Sequence, residues 1–184
     1  MDYEKILSKR VQELKPSGIR KFFDIAANMK DVISLSIGEP DFKTPWAVRA
    51  AAIETLEKGR TTYTANSGLA ALRVEITRYM ERKFGLSYHP EDETLVTVGG
   101  SEAIDLCIRA FVEPGDEVLV VEPCFVAYAP IIEMMRGVPV PVETVAEESF
   151  RLTAARLREK ITKKTKLLVL PYPNNPTGGV MRKE

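Results

Sequence analysis

A chain of 184 residues is long enough to bury one sizeable core, and 45% apolar against 28% charged residues is the balance of an ordinary globular protein. Lysine plus arginine equals aspartate plus glutamate at 26 each, so no net basic field draws nucleic acid or an anionic membrane surface. Two separated cysteines, Cys107 and Cys124, with one histidine, His89, argue against a disulfide framework, a zinc site or a histidine-dependent triad, and favour a reducing, cytoplasmic setting.

The opening "MDYEKILSKR" has mixed charge and no apolar stretch, unlike a signal peptide, and "DYEKILSKRVQEL" reads as a short amphipathic helix interrupted by Pro16. "GIRKFFDIAANMK" reads as a second helix with Ile19, Phe22, Phe23 and Ile25 on its apolar side. "DVISLSIG" is a short extended run, and "GEPDFKTP" after it is a loop. In "TPWAVRAAAIETLEKG", Thr44 is the expected N-cap, Pro45 the first helical residue and Gly59 the stop. After the polar loop "RTTYTANSG", the stretch "LAALRVEITRYMERKFG" is a helix with Leu69, Leu72, Ile76 and Met80 on one face and Gly85 at its end. His89 sits in "YHPEDE", a turn in which a histidine is simply solvated.

Beyond this point strands and helices alternate. "TLVTVGG" reads as a strand, "SEAIDLCIRAFV" as a helix, "DEVLVVEP" as a buried strand and "VAYAPIIEMMRG" as a helix. "VPVPVE" is a strand, "TAARLREKI" a helix and "KLLVLP" a strand. The apolar runs "VLVV" and "LLVL" are strand-length, far short of a membrane span. Alternation with near-continuous apolar strands predicts an α/β fold with a mostly parallel sheet covered on both faces. Parallel strands place their carboxyl ends along one edge, and in open α/β sheets ligands bind outside that edge.

Three unusual segments leave those ends. "GGSEA" joins two glycines to a helix start at Ser101. Exposed N–H groups there suit an anion such as phosphate, and a tight turn with a serine cap is the plain alternative. It matches neither GxGxxG nor a Walker loop. "EPCFVAY" places Phe125 and Tyr128 past a strand, either to stack on a flat ligand or to pack beneath a helix, with Cys124 as a small filler. "PYPNNPTGG" offers Asn174 and Asn175, whose amides can meet a ring hydroxyl or phenolate or form an Asx turn, and its prolines are candidates for cis bonds. Upstream, Gly38 can bring a backbone N–H to a ligand carboxylate or merely turn the chain, and Tyr63 can reach an anion or sit on the surface. Glu102 and Asp105 form no obvious pair of catalytic carboxylates.

Taken in order, "SIGEPDF", "YTANSG", "VTVGGSEAIDL", "PGDEVLVVEPCFVAY" and "PNNPTGG" resemble the N-terminal half of a class I/II aminotransferase of the fold-type I pyridoxal-phosphate family, across essentially the whole chain. The resemblance is nearest to bacterial aspartate, aromatic amino acid and N-acetyl-diaminopimelate aminotransferases. It implies an N-terminal arm with part of a small domain over 1–45, and the first, incomplete part of a large pyridoxal 5'-phosphate (PLP) domain over 46–184. Gly100, Ser101 and Glu102 match the loop that cradles the cofactor phosphate, Phe125 the aromatic that stacks on its ring, and Asn175 the amide on its phenolic oxygen. Gly38 matches the glycine beside the substrate carboxylate. Tyr63 matches the tyrosine that reaches the phosphate in the partner subunit, which implies a homodimer. The family's Schiff-base lysine, its aspartate on the pyridine nitrogen and its carboxylate-gripping arginine match nothing here. Lys163, Lys164 and Lys166 stand in a basic stretch that reads as a solvated turn. The expectation is a PLP-dependent aminotransferase, acting on an amino acid and a 2-oxo acid and present as an N-terminal fragment with little activity of its own. A half-domain that binds PLP or a partner chain without catalysis, and a lyase of the same fold, are the alternatives.

Overall fold

A computed structural model of the chain describes residues 5–14 and 40–182, together with Gly18, Ile25, Met29, Ile33 and Gly38. Apart from those single positions, the helix expected over 18–30 and the extended run over 31–38 lie outside the described residues. The chain divides into two compact units, one of residues 1–17 with 98–184 and the other of residues 18–97.

In the unit of residues 18–97, helix α2 spans Trp46–Glu57 and helix α3 spans Ala70–Phe84. Thr44 does not cap α2. Pro45 is itself the N-cap, extended at φ −50 and ψ 142, and its carbonyl accepts the N–H groups of Val48 and Arg49 at 3.1 and 3.2 Å. Proline's fixed φ suits either position, and here ψ starts the helix one residue late. Helix α3 ends as expected at Gly85, in the left-handed region. Its inward stripe differs from the expected one. Arg73 and Thr77 are buried, Ile76 and Met80 half-buried, and Leu69 and Leu72 exposed. The reason is polar: Arg73 Nη1 donates to the carbonyls of Pro90 and Glu91 at 2.7 and 3.2 Å, which draws the guanidinium inward. His89 stays exposed, with Nδ1 3.3 Å from Asp92 Oδ2. The strand expected from "TLVTVGG" is not formed among the described residues. Val96 N–H donates to a loop carbonyl, that of Ser67, at 3.1 Å, and no described strand lies alongside to build a ladder.

The other unit carries the sheet. Helix α1, Lys9–Glu13, is capped by Ser8, and Arg10 Nη1 donates to Glu133 O at 2.9 Å. Helix α4 spans Gly100–Phe111 and leads into strand β1, Glu117–Glu122. Helix α5, Tyr128–Met134, precedes strand β2, Val138–Glu143. A 3-10 turn at Ala146–Glu148 and helix α6, Ala154–Lys160, lead to strand β3, Thr165–Val169. The strand order is β2-β1-β3 and both pairings are parallel. Along β1 the side chains alternate between two cores. Val118 and Val120 join Ile108, Val112 and Ile132 beneath α4 and α5. Leu119 and Val121 join Val142 and Leu152, with Leu157 of α6 packed against them. A strand covered on both faces is why "VLVV" has no polar alternation.

The end of α5 shows how tightly one core is built. Arg136 takes φ 67, so that its N–H reaches Glu133 O at 2.9 Å and the next N–H, of Gly137, reaches Ile132 O at 3.0 Å. This is a Schellman ending with arginine where glycine is usual. At Gly137, a Cβ would stand 2.7 Å from Val112 Cγ1 and 3.0 Å from Ile132 Cγ2. Adjacent substitutions should therefore act in opposite directions in urea denaturation. Arg136→Gly relieves left-handed strain and raises stability by about 0.5–1 kcal/mol. Gly137→Ala overpacks the core and lowers it by about 1–3 kcal/mol.

Candidate functional site

The connections of the sheet converge on one edge. Since β1 and β3 are parallel, the segments leaving them, from Pro123 and from Leu170, start on the same side. Helix α4 joins that side too. Its C-terminal end meets the amino end of β1 through the short turn at 112–116, so its N-terminus points back to the carboxyl edge. Ile104, in the second turn of α4, packs in the same cluster as Cys124 and Tyr128.

Glycine is demanded at the start of α4, where Gly99 is the N-cap with φ 84. Ser101 is thus not the cap but the second helical residue, and the N-cap, a glycine, makes no side-chain hydrogen bond to the first turn. Gly100, Ser101 and Glu102 are exposed, and a Cβ on Gly100 would meet no described atom within 4 Å. The Glu102 carboxylate folds back to accept the N–H of Val98, in the manner of a capping-box glutamate. This leaves the first-turn N–H groups, with the Ser101 hydroxyl, as donors at the positive end of a helix dipole.

Phe125 is half-buried, in a T-shaped contact with the ring of Tyr128, with centroids 5.8 Å apart and an interplanar angle of 87°. The Tyr128 hydroxyl is held above its ordinary pKa by burial and then by Cys124. Burial, then the charge of Glu122, raises the Cys124 thiol, which fits an inert filler rather than a nucleophile. On the β3 side, the Tyr172–Pro173 and Asn175–Pro176 bonds are both cis, as is Glu122–Pro123 across from them. Asn175 is exposed at the turn. Its neighbour Asn174 is buried, and Nδ2 donates to Pro123 O at 2.9 Å. Two main-chain bonds of 2.9 Å, Asn174 N to Gly179 O and Gly178 N to Asn174 O, close the loop. Tyr172 hydroxyl donates to Phe150 O at 2.7 Å, and burial raises its pKa.

The structure thus brings Gly100, Ser101, Glu102, Phe125 and Asn175 to one edge. Gly38 and Tyr63 belong to the 18–97 unit, and both are exposed, Tyr63 in the loop between α2 and α3. Lys163, Lys164 and Lys166 are exposed around the amino end of β3, the end away from these loops. Two residues outside the set the resemblance carried over also stand at the edge. Asn174 was visible in the sequence only as one of two adjacent asparagines. Thr144, whose Oγ1 donates to Glu122 O at 2.7 Å, was hidden as an ordinary threonine after a strand.

The sequence model of the family described as aminotransferase class I and II matches residues 30–184. The chain belongs to that family. It is 55% identical over 178 residues to the Bacillus subtilis protein YugH, covering 97% of this chain and 46% of that protein. It is 44% identical over 178 residues to an aspartate aminotransferase of Pyrococcus abyssi, again 97% of this chain and 46% of the relative. Among solved structures, the aspartate aminotransferase of Thermus thermophilus with maleate superposes with a TM-score of 0.89 at 42% identity, over 96% of this chain and 47% of that one. The fold is therefore that of the PLP-dependent aminotransferases, and the chain spans a little under half the length of these relatives. Class I/II aminotransferases depend on PLP. The edge fits that group: uncapped N–H donors beside two glycines suit a phosphate, a half-buried aromatic suits a ring, and an exposed amide suits a phenolic oxygen.

A raised thiol pKa means less thiolate at any given pH. Alkylation of Cys124, followed by peptide mass spectrometry, should be slow at neutral pH. It should keep accelerating at pH values where an ordinary thiol has levelled off.

Proposed function

We propose that this chain is the amino-terminal part of a PLP-dependent aminotransferase that passes an amino group from an amino acid to a 2-oxo acid. One observation carries the reading. In a chain of this family, an uncapped helix N-terminus, an aromatic ring and an exposed asparagine leave the same sheet edge.

PLP, when bound, supplies the electron sink for chemistry at the substrate α-carbon. The chain's residues bind and orient. The N–H groups of the first turn of α4, with the Ser101 hydroxyl, hold the phosphate, and the helix dipole favours its charge. Because the Glu102 carboxylate is turned onto Val98, that residue contributes its N–H rather than its charge. The face of Phe125 would cover one side of the ring and limit water there, with Phe125 itself braced by its T-shaped contact with Tyr128. Asn175 donates its amide to the phenolic oxygen without adding charge. Gly38 lets a substrate carboxylate approach a backbone N–H, and Tyr63 reaches the phosphate of a partner subunit in a cytoplasmic homodimer. The lysine that moves the proton lies outside residues 1–184. The three lysines near β3 are exposed and stand at the far end of that strand, where none faces these groups.

The test uses the complete gene product, with residues 1–184 alone beside it. The complete protein should bind PLP, seen as a visible absorption band, and transfer an amino group, while the short chain should show little or no transfer. Ser101→Ala, which removes a hydrogen bond to a charged group, should weaken PLP binding by about tenfold or more. Absence of PLP binding by the complete protein would refute the reading, and elimination products in place of transfer would move it to a lyase.

A further inference from the structure

Two loops carry the groups assigned to the ring, and nothing in the strand pairing itself fixes one against the other. Phe125 stands three residues past the end of β1, and Asn175 six residues past the end of β3. Loops of this length hold a common geometry only if something ties them together. One side chain does so. Asn174 Nδ2 donates to Pro123 O at 2.9 Å, joining residues 51 apart in sequence. The anchor lies two residues before Phe125, and the donor is the immediate neighbour of Asn175.

Each end of this link is itself held. The Asn174 main chain is bonded in both directions, to Gly179 O and from Gly178 N. On the other side, the Glu122 carbonyl accepts both Thr144 N, at 2.8 Å, and Thr144 Oγ1, at 2.7 Å, which fixes the residue before Pro123. Asn174 is only 5% exposed, and its Oδ1 is buried with no hydrogen-bond partner among the described residues. The amide cannot be turned to relieve this, since Oδ1 would then face the Pro123 carbonyl. A buried acceptor without a donor is destabilising, and an apolar side chain of similar volume would avoid that cost. The position therefore uses asparagine for its donor rather than for filling space.

We infer that Asn174 is a positioning residue, whose amide clips the loop after β3 to the loop after β1 and so fixes the Asn175 amide against the Phe125 ring. The clip needs no ligand, while its consequence for the cofactor rests on the PLP reading above.

The complete gene product, apo and with PLP, should be compared with Asn174→Ala and with Asn174→Leu, which keeps the number and branching of side-chain heavy atoms and loses the donor. Both variants should bind PLP about tenfold more weakly. Visible circular dichroism per bound cofactor should fall by about half or more, because a loosely held ring loses its fixed asymmetric setting. Amide hydrogen exchange in residues 123–127 should speed up by about tenfold, although the substitution is far away in sequence. A Leu variant with unchanged affinity, dichroism and exchange would overturn the inference and leave Asn174 as packing. If the wild-type protein binds no PLP, the cofactor reading falls by itself, and exchange at 123–127 decides the clip. If neither variant folds, wild-type exchange decides: 123–127 and 174–179 should open together, and independent opening overturns the link.

Discussion

Strand β1 is hydrogen-bonded along both edges, and its residues Val118 to Val121 are each no more than 1% exposed. Such a segment cannot leave its N–H and C=O groups unpaired, so it requires a neighbour on each side as well as cover above and below. That demand organises the unit. Both neighbours are parallel to β1, which forces helical crossovers, and these supply the two apolar covers. The outer strands are less committed. Among the described residues β3 pairs with β1 on one side only, and it alternates between half-buried and exposed positions.

Parallel pairing also explains the division of labour between the two ends of the sheet. Short turns and the exposed lysines gather near the amino ends, while the loops with prolines, asparagines and glycines leave the carboxyl ends. The carboxyl edge does not depend on net charge, which is zero over the chain. In the proposed reading, attraction for an anion there is local and would be set by oriented N–H groups at the start of α4. The one carboxylate in that first turn is held by a backbone donor. Rigidity there comes from small devices: a left-handed glycine at the cap, an edge-on aromatic pair, and the amide of Asn174 reaching across to Pro123.

Much of this was legible in the residues. The apolar runs and their spacing located all three observed strands and the helices between them, and Gly85 marked the end of α3 correctly. Where the reading missed, a polar contact or a missing neighbour decided the outcome. The α3 stripe turned toward Arg73 because carbonyls 17 and 18 residues away accept its guanidinium, a bond that hydrophobic periodicity does not register. The 94–98 segment has the composition of a strand, but a strand exists only through its partner. Ser101 looked like a cap, yet the positive φ that begins the helix falls on Gly99.

The sequence by itself determined the α/β class, the sheet edge on which the unusual loops gather and, through its ordered motifs, the family. These follow from local patterns that a parallel sheet can satisfy in few ways. Only the tertiary structure decided which of two adjacent asparagines is a buried link and which faces outward. It also decided that Cys124 is withdrawn beside Tyr128 and that Glu102 turns its charge away. Those outcomes depend on which backbone carbonyls and N–H groups come within hydrogen-bond reach once distant segments pack, and that distance is not written in either segment alone.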